Sequence, residues 1–344
     1  MDLQTHERIG ELMEADEPTL SLVARRRLGR TGLQVSEIGL GAWGIGGSAW
    51  GGPDDSNSLA ALSKAFDAGV NFVDTALIYG LGHSERLVTQ AVKGRSETIY
   101  VATKIPPKNM LWPARPGIPL RDVYPFRHVK KCTDESLKNL QRETIDLQQF
   151  HVWNPDWIED DDWRKSLEWL KRKGKARFVG ISVNDHQPAS VIPALRTGLI
   201  DCVQVIYNIF DPTPADELFP LCQQLDIGVI VRVPFDEGGL TGAINPETTF
   251  VPKDFRSRYF GGNRKLKLWE RVQALWRDLG DHEPLAGTAL RFCISHPAVS
   301  TVIPGMRTPA HVEENISASQ AGPLPPATLE ILARHRWARN YYDY

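Results

Sequence analysis

Cysteine is scarce in this 344-residue chain, and the four present do not cluster. Cys132, Cys202, Cys222 and Cys293 lie far apart with no C-x-x-C among them, which argues against a disulfide framework and against a zinc site. Reduced thiols in a cytoplasmic protein, with no metal, are the expectation. A charge excess of one sign is also missing: 40 Lys and Arg stand against 42 Asp and Glu. That balance offers no electrostatic footprint for nucleic acid or for an acidic membrane surface. No apolar run approaches the roughly 18 residues of a membrane span. The first twenty residues are acidic and lack the apolar stretch of a signal peptide. With 42% hydrophobic and 24% charged residues, the composition fits neither a disordered chain nor a coiled coil and allows a large core.

What is present is an alternation. Residues 1–25 read as an N-terminal extension, and residues 26–344 as one folded unit. Two short apolar stretches around Gly29 and Gly32 predict a β-hairpin that leads into a first strand at 38–41. Short apolar runs then recur at 70–73, 98–102, 145–150, 177–182, 202–206, 227–231 and 300–303. They are apolar on both parities, as strands buried on both faces should be. Helical patterns fill the gaps: Leu59, Leu62 and Phe66 share a face with Gly69 as a stop, and Trp269, Val272, Leu275, Trp276 and Leu279 repeat before Gly280. Eight strands alternating with helices allow a (β/α)8 barrel or a doubly wound sheet; length and strand count favour the α/β barrel of the TIM type. Long segments after strands 3 and 7, about 106–126 and 234–265, read as functional loops.

In such a barrel the site lies at the carboxyl ends of the strands. Asp74 directly follows V-N-F-V, Lys104 closes T-I-Y-V-A-T-K, and His151 closes I-D-L-Q-Q-F-H. An unpaired buried ammonium is costly, so Lys104 calls for a carboxylate, and Asp74 on the neighbouring strand is the obvious partner. Strands 2, 3 and 4 are adjacent, so these three residues converge, with Tyr79 arching over them from a loop that contains Gly80 and Gly82. A cation beside a phenol lowers its pKa from near ~10 and makes it a usable proton donor. A literal G-x-G-x-x-G is present at Gly39, Gly41 and Gly44, but the Gly-rich stretch after it ends in Pro53 and opens no helix, which speaks against a dinucleotide fingerprint.

With these motifs on the page the chain resembles the aldo-keto reductases over about 26–320. The ordered matches are G-L-G-A-W at 39–43, D-A-G-V-N-F-V-D-T-A-L-I-Y-G at 67–80, H-S-E-R-L-V at 83–88, V-A-T-K at 101–104, D-L-Q-Q-F-H at 146–151, R-F-V-G-I-S-V-N at 177–184 and V-I-P-G-M-R-T-P-A-H-V-E-E-N at 302–315. The resemblance implies a catalytic tetrad of Asp74, Tyr79, Lys104 and His151. It implies hydride transfer from NADP(H), with NADPH preferred over NADH, to the carbonyl carbon of a small-molecule aldehyde or ketone, and proton delivery by Tyr79. It places Trp43, Ser182, Asn184 and Gln204 around the nicotinamide, and Gly238, Gly239 and Leu240 in a loop approaching the pyrophosphate. Gly305 and Arg307 fall to the 2′-phosphate, and His311, Glu314 and Asn315 to the adenine, though many relatives carry Gln where His311 stands. Trp43 and Trp153 would wall the substrate pocket. Arg232 is a departure, because the family usually presents an aromatic ring there; a planar guanidinium can also stack. Arg256 and Arg258 in the second long loop have two readings, a reach to the cofactor phosphates and, as the default, solvated surface charges. A regulatory nicotinamide-binding subunit of the same fold, with little turnover, is the alternative reading. The physiological substrate and the oligomeric state are left open.

Overall fold

The computed structural model describes residues 23–47, 49–280 and 284–342. Most of the expected N-terminal extension, up to residue 22, and the last two residues of the aromatic tail lie outside the described residues.

A short antiparallel hairpin opens the described chain: β1 (Arg25–Arg27) pairs with β2 (Gln34–Ser36) across a 3-10 turn at Gly29–Thr31. Eight parallel strands follow: β3 (Leu40–Gly41), β4 (Phe72–Asp74), β5 (Tyr100–Ile105), β6 (Ile145–Phe150), β7 (Ala176–Ser182), β8 (Cys202–Ile206), β9 (Gly228–Arg232) and β10 (Val299–Val302). They hydrogen-bond in sequence order from β3 to β10, and parallel bridges from Ile38 to Val302 and from Gly41 to Gly305 bring the two edges together. The sheet is therefore a closed (β/α)8 barrel. Closure needs a bare backbone at Gly41, where a Cβ would stand 2.6 Å from the Ile303 carbonyl oxygen. Gly39 and Gly41 thus serve the seam, and Gly44 opens only a 3-10 turn at Gly44–Gly46.

The helices are α1 (Asp55–Asp67), α2 (His83–Val92), α3 (Leu120–Val123), α4 (Phe126–Leu140), α5 (Asp161–Arg172), α6 (Ile192–Arg196), α7 (Leu218–Gln224), α8 (Arg256–Tyr259), α9 (Arg264–Leu279), α10 (Leu285–Ser295), α11 (Pro309–Ala321) and α12 (Pro326–Ala333). Their local logic is ordinary. In α1 the Asp54 side chain caps the Asn57 N–H, and Ser58, Ala61, Leu62, Ala65 and Phe66 form the buried stripe. No described helix is long and apolar enough to cross a membrane. All four cysteines are free and buried.

The barrel has two cores. One lies between strands and helices; the other is inside the strands and joins Phe72, Ala102, Leu147, Cys202, Ile230 and Ile303 to Leu28, Leu33 and Val35 of the hairpin region. The hairpin therefore plugs the amino-terminal end. Strand side chains alternate with period two, so the residue two places after each inward apolar one also points inward, one layer nearer the carboxyl end. After Phe72, Ala102, Leu147, Cys202 and Ile230 those residues are Asp74, Lys104, Gln149, Gln204 and Arg232. One apolar layer thus carries a polar layer directly above it, and that layer is the floor of the site.

Candidate active site

The polar layer is tightly wired. Lys104 is 1% exposed and forms a close ion pair with Asp74. Its Nζ also donates to the Thr75 carbonyl at 2.9 Å and to the Tyr79 hydroxyl at 3.4 Å. The other Asp74 oxygen accepts from the Gln204 amide at 2.8 Å and from the Gln149 amide at 3.2 Å. The ammonium is thus aimed by a carboxylate that two amides hold in turn. Two glycines let Tyr79 approach: a Cβ on Gly46 would stand 2.9 Å from the Tyr79 carbonyl carbon, and one on Gly80, at φ 62°, would stand 2.6 Å from the Gly46 oxygen. The His151 ring meets the Tyr79 ring edge-on with centroids 5.8 Å apart.

Burial sets the protonation states. It pushes the Lys104 ammonium down, but Asp74 and Tyr79 pull it back, and the net direction is up, so Lys104 stays charged. Burial, then Lys104 and Arg232, hold the His151 imidazole well below its ordinary value, so the ring is neutral at pH 7. Tyr79 corrects the expectation of a lowered phenol. Desolvation, the largest influence, raises it and outweighs the lowering by Lys104. The resting group is a firmly protonated phenol with a cation beside its oxygen.

Above this floor opens a cavity of about 1400 Å³. Asp74, Tyr79, His151, Trp43, Ser182, Asn184, Gln204, Arg232, Gly238, Gly305, Arg307, His311, Glu314 and Asn315 all line it. Lys104 lies in the floor beneath and does not line it, and three further expected residues do not either. Trp153 is fully buried in an aromatic cluster with Phe150, Trp157 and Trp163. Past the strand end the chain drops period two, and the largest apolar ring goes to the core. Gly239 sits against Asp236 and Leu268, and Leu240 is fully buried, so Gly238 and Thr241 face the cavity from that loop.

The aromatic walls of the cavity are instead Trp50, Trp112 and Phe255, with Trp43 packed 4.8 Å from Phe255 and 5.2 Å from Trp50. Arg256 is no solvated charge: it lies 4.8 Å over the Trp50 ring and is paired with the buried Asp254. Asn184 binds the Ala114 backbone in both directions at 3.1 Å and so pins the first long loop to β7. Sequence reasoning also passed over Gln149, Asp185, Glu237 and Tyr342. Asp185 pairs with Arg232 at 2.6 Å, and Tyr342 from the tail donates to Glu237, whose carboxyl burial pushes up to about 7.

The donor set suits an anionic dinucleotide. The buried nitrogens His151 Nδ1, Arg232 Nε and Trp50 Nε1, all on residues that line the cavity, have no hydrogen-bond partner among the described residues. Gly287 and Gly305 leave open space beside the cavity, and Arg307 lines it just ahead of α11, whose first turn carries Pro309 and a His311 N–H capped by Thr308, so the guanidinium is the anion-binding group there. Among the described residues no group of three or more His, Cys, Asp or Glu could hold a metal ion.

Comparison with known proteins agrees with this geometry. The sequence model of the Aldo/keto reductase family matches residues 37–336. The chain is 30% identical over 317 residues to the NADH-specific methylglyoxal reductase of Escherichia coli (strain K12), covering 85% of this chain and 92% of that one. It is 29% identical over 317 residues to a probable voltage-gated potassium channel subunit beta of Arabidopsis thaliana, covering 87% and 92%. Among solved structures, the holo form of aldo-keto reductase AKR11C1 from Bacillus halodurans matches with a TM-score of 0.73 at 27% identity, over 93% of this chain and 99% of that one.

Proposed function

The chain belongs to the aldo/keto reductase family, an oxidoreductase family, and from that premise we propose that it is a cytoplasmic NADP(H)-dependent enzyme reducing an aldehyde or ketone to an alcohol. The observation that carries the reading is the buried Lys104 ammonium 3.4 Å from the hydroxyl of Tyr79, which lines a cavity of about 1400 Å³ with room for a dinucleotide and a small carbonyl compound. A reduced nicotinamide supplies the hydride when bound. Trp43, Ser182, Asn184, Gln204 and Arg232 would hold its ring end, Gly238 and Thr241 its pyrophosphate, and Gly305, Arg307, His311, Glu314 and Asn315 its adenosine end.

The protein's own part is proton delivery and orientation. Neutral His151 offers an N–H to the carbonyl oxygen and fixes it near Tyr79. As the carbonyl carbon accepts hydride, negative charge grows on that oxygen and the Tyr79 Oη–H bond breaks to protonate it. The phenolate left behind faces Lys104, whose charge costs no reorganisation because Asp74 already holds it in place. The same cation that fails to make the resting phenol acidic therefore acts where the charge develops. Residues 26–344 are taken as the catalytic unit.

The Arg307 guanidinium at the cavity wall supports 2′-phosphate recognition and hence NADPH over NADH. The resemblance to a channel subunit supports the second reading, a nicotinamide-binding regulatory protein with little turnover. Cofactor absorbance with a broad panel of aldehydes and ketones separates them. Oxidation of NADPH well above background with at least one carbonyl is expected; binding of NADPH without oxidation across the panel would favour the regulatory reading.

A further inference from the structure

The floor of the cavity carries a second cation. Arg232 ends β9 and lines the cavity with Ser182, Gln204 and Val233. Its Nη2 donates to the Val183 carbonyl at 3.0 Å and to Asp185 at 2.6 Å, while its Nε is buried with no partner among the described residues. Its field reaches the tetrad from across the floor, since it lowers both Tyr79 and His151. Asp185 offsets part of that charge, and the remaining groups nearby are matched, neutral or only partly ionised at pH 7. Lys104 is already matched by Asp74, His151 is neutral, and the Glu237 carboxyl is bonded by Tyr342 and ionises only near about 7.

We infer that Arg232 sets a redox-state preference: its guanidinium penalises a cationic ring on the floor of the site, so the protein binds the reduced, neutral nicotinamide in preference to the oxidised, positively charged one. The inference rests on the reading above that a nicotinamide lies between Tyr79 and Arg232. The physics is that of a like charge in a poorly solvated place. An aromatic face at position 232 would act in the opposite sense, because its quadrupole attracts a cation. Asp185 offsets part of the guanidinium charge and so limits the effect. By linkage, a site that holds the reduced form more tightly releases the spent cofactor readily, at the cost of making the bound reduced form a weaker hydride donor.

The test is the ratio of the dissociation constants for NADP⁺ and NADPH, read from tryptophan fluorescence quenching with the full chain and requiring no turnover. The wild type is expected to bind NADPH more tightly. Arg232→Met should shrink the ratio by about tenfold, an ordinary size for coupling between two charges in one site. Arg232→Lys should keep it within about threefold, because the charge remains. Asp185→Asn, which unmasks the guanidinium, should widen it and so tests the same idea with opposite sign should Arg232→Met not fold. An unchanged ratio in Arg232→Met, or a narrowed one in Asp185→Asn, overturns the inference. A wild-type chain that binds neither form overturns the nicotinamide reading itself and this inference with it.

Discussion

Replacing Lys104 with Met removes the cation and keeps most of the side-chain volume. With an effective dielectric near 20, unit charges 3.4 Å apart interact by about 5 kcal/mol. If about half a charge has reached the Tyr79 oxygen in the transition state, the loss is roughly 2.5 kcal/mol, or nearly 10²-fold in rate. The substitution also strands Asp74, which is 3% exposed and keeps only the Gln149 and Gln204 amides. Breaking one partner of a buried pair costs about 3–5 kcal/mol of stability. The two effects come apart in the double variant Asp74→Asn/Lys104→Met, where no buried charge is left over. Single-turnover oxidation of bound NADPH gives the rate, and urea unfolding gives the stability. The single variant should be slow and unstable, and the double variant slow but largely restored in stability. A folded Lys104→Met protein turning over within threefold of wild type would refute the electrostatic role of Lys104.

Other outcomes follow from single features of the site. Arg307→Ala should weaken NADPH at least about tenfold more than NADH, the scale of a lost hydrogen bond between charged groups; titration of both cofactors checks this, and equal weakening removes the 2′-phosphate assignment. Glu237 has its carboxyl raised from 4.5 to about 7 on folding, so the stability it supplies is complete below about 4.5 and is lost as the pH rises through about 7. The swing is on the order of 3 kcal/mol, and Glu237→Gln should gain on wild type by about that much between pH 4 and pH 8 in urea unfolding; parallel profiles would exclude the shift. Trp153→Ala should cost about 3–5 kcal/mol as a large-to-small core change yet leave KM within about twofold, whereas a marked KM change would return Trp153 to the pocket.

The barrel was legible because its eight strands are short, mostly apolar runs and several of the gaps hold a helical stripe, such as Leu59, Leu62 and Phe66. The grouping of Asp74, Lys104, His151 and Tyr79 was legible where chemistry breaks that pattern, as the first three each fall at the end of a buried strand. Gln149 obeys the same period-two rule but is uncharged, so nothing in its type marked it out. Trp50, Trp112, Phe255 and Tyr342 reach the cavity from loops and the tail, whose paths follow from contacts far apart in sequence, such as Asn184 holding Ala114. The same cause misplaced Trp153, since two residues beyond His151 the strand period no longer applies. The direction of the Tyr79 shift was missed because sequence reveals a neighbouring cation but not the depth of burial, and burial is the larger influence here.

The most direct test is single-turnover NADPH oxidation by Tyr79→Phe, alongside its NADPH dissociation constant. The account predicts a rate lower by about 10²–10⁴, the span of general acid catalysis, with NADPH affinity within about twofold of wild type. A phenylalanine variant that reduces carbonyls at near the wild-type rate would contradict it, since the proton is transferred by Tyr79 while His151 only hydrogen-bonds that oxygen.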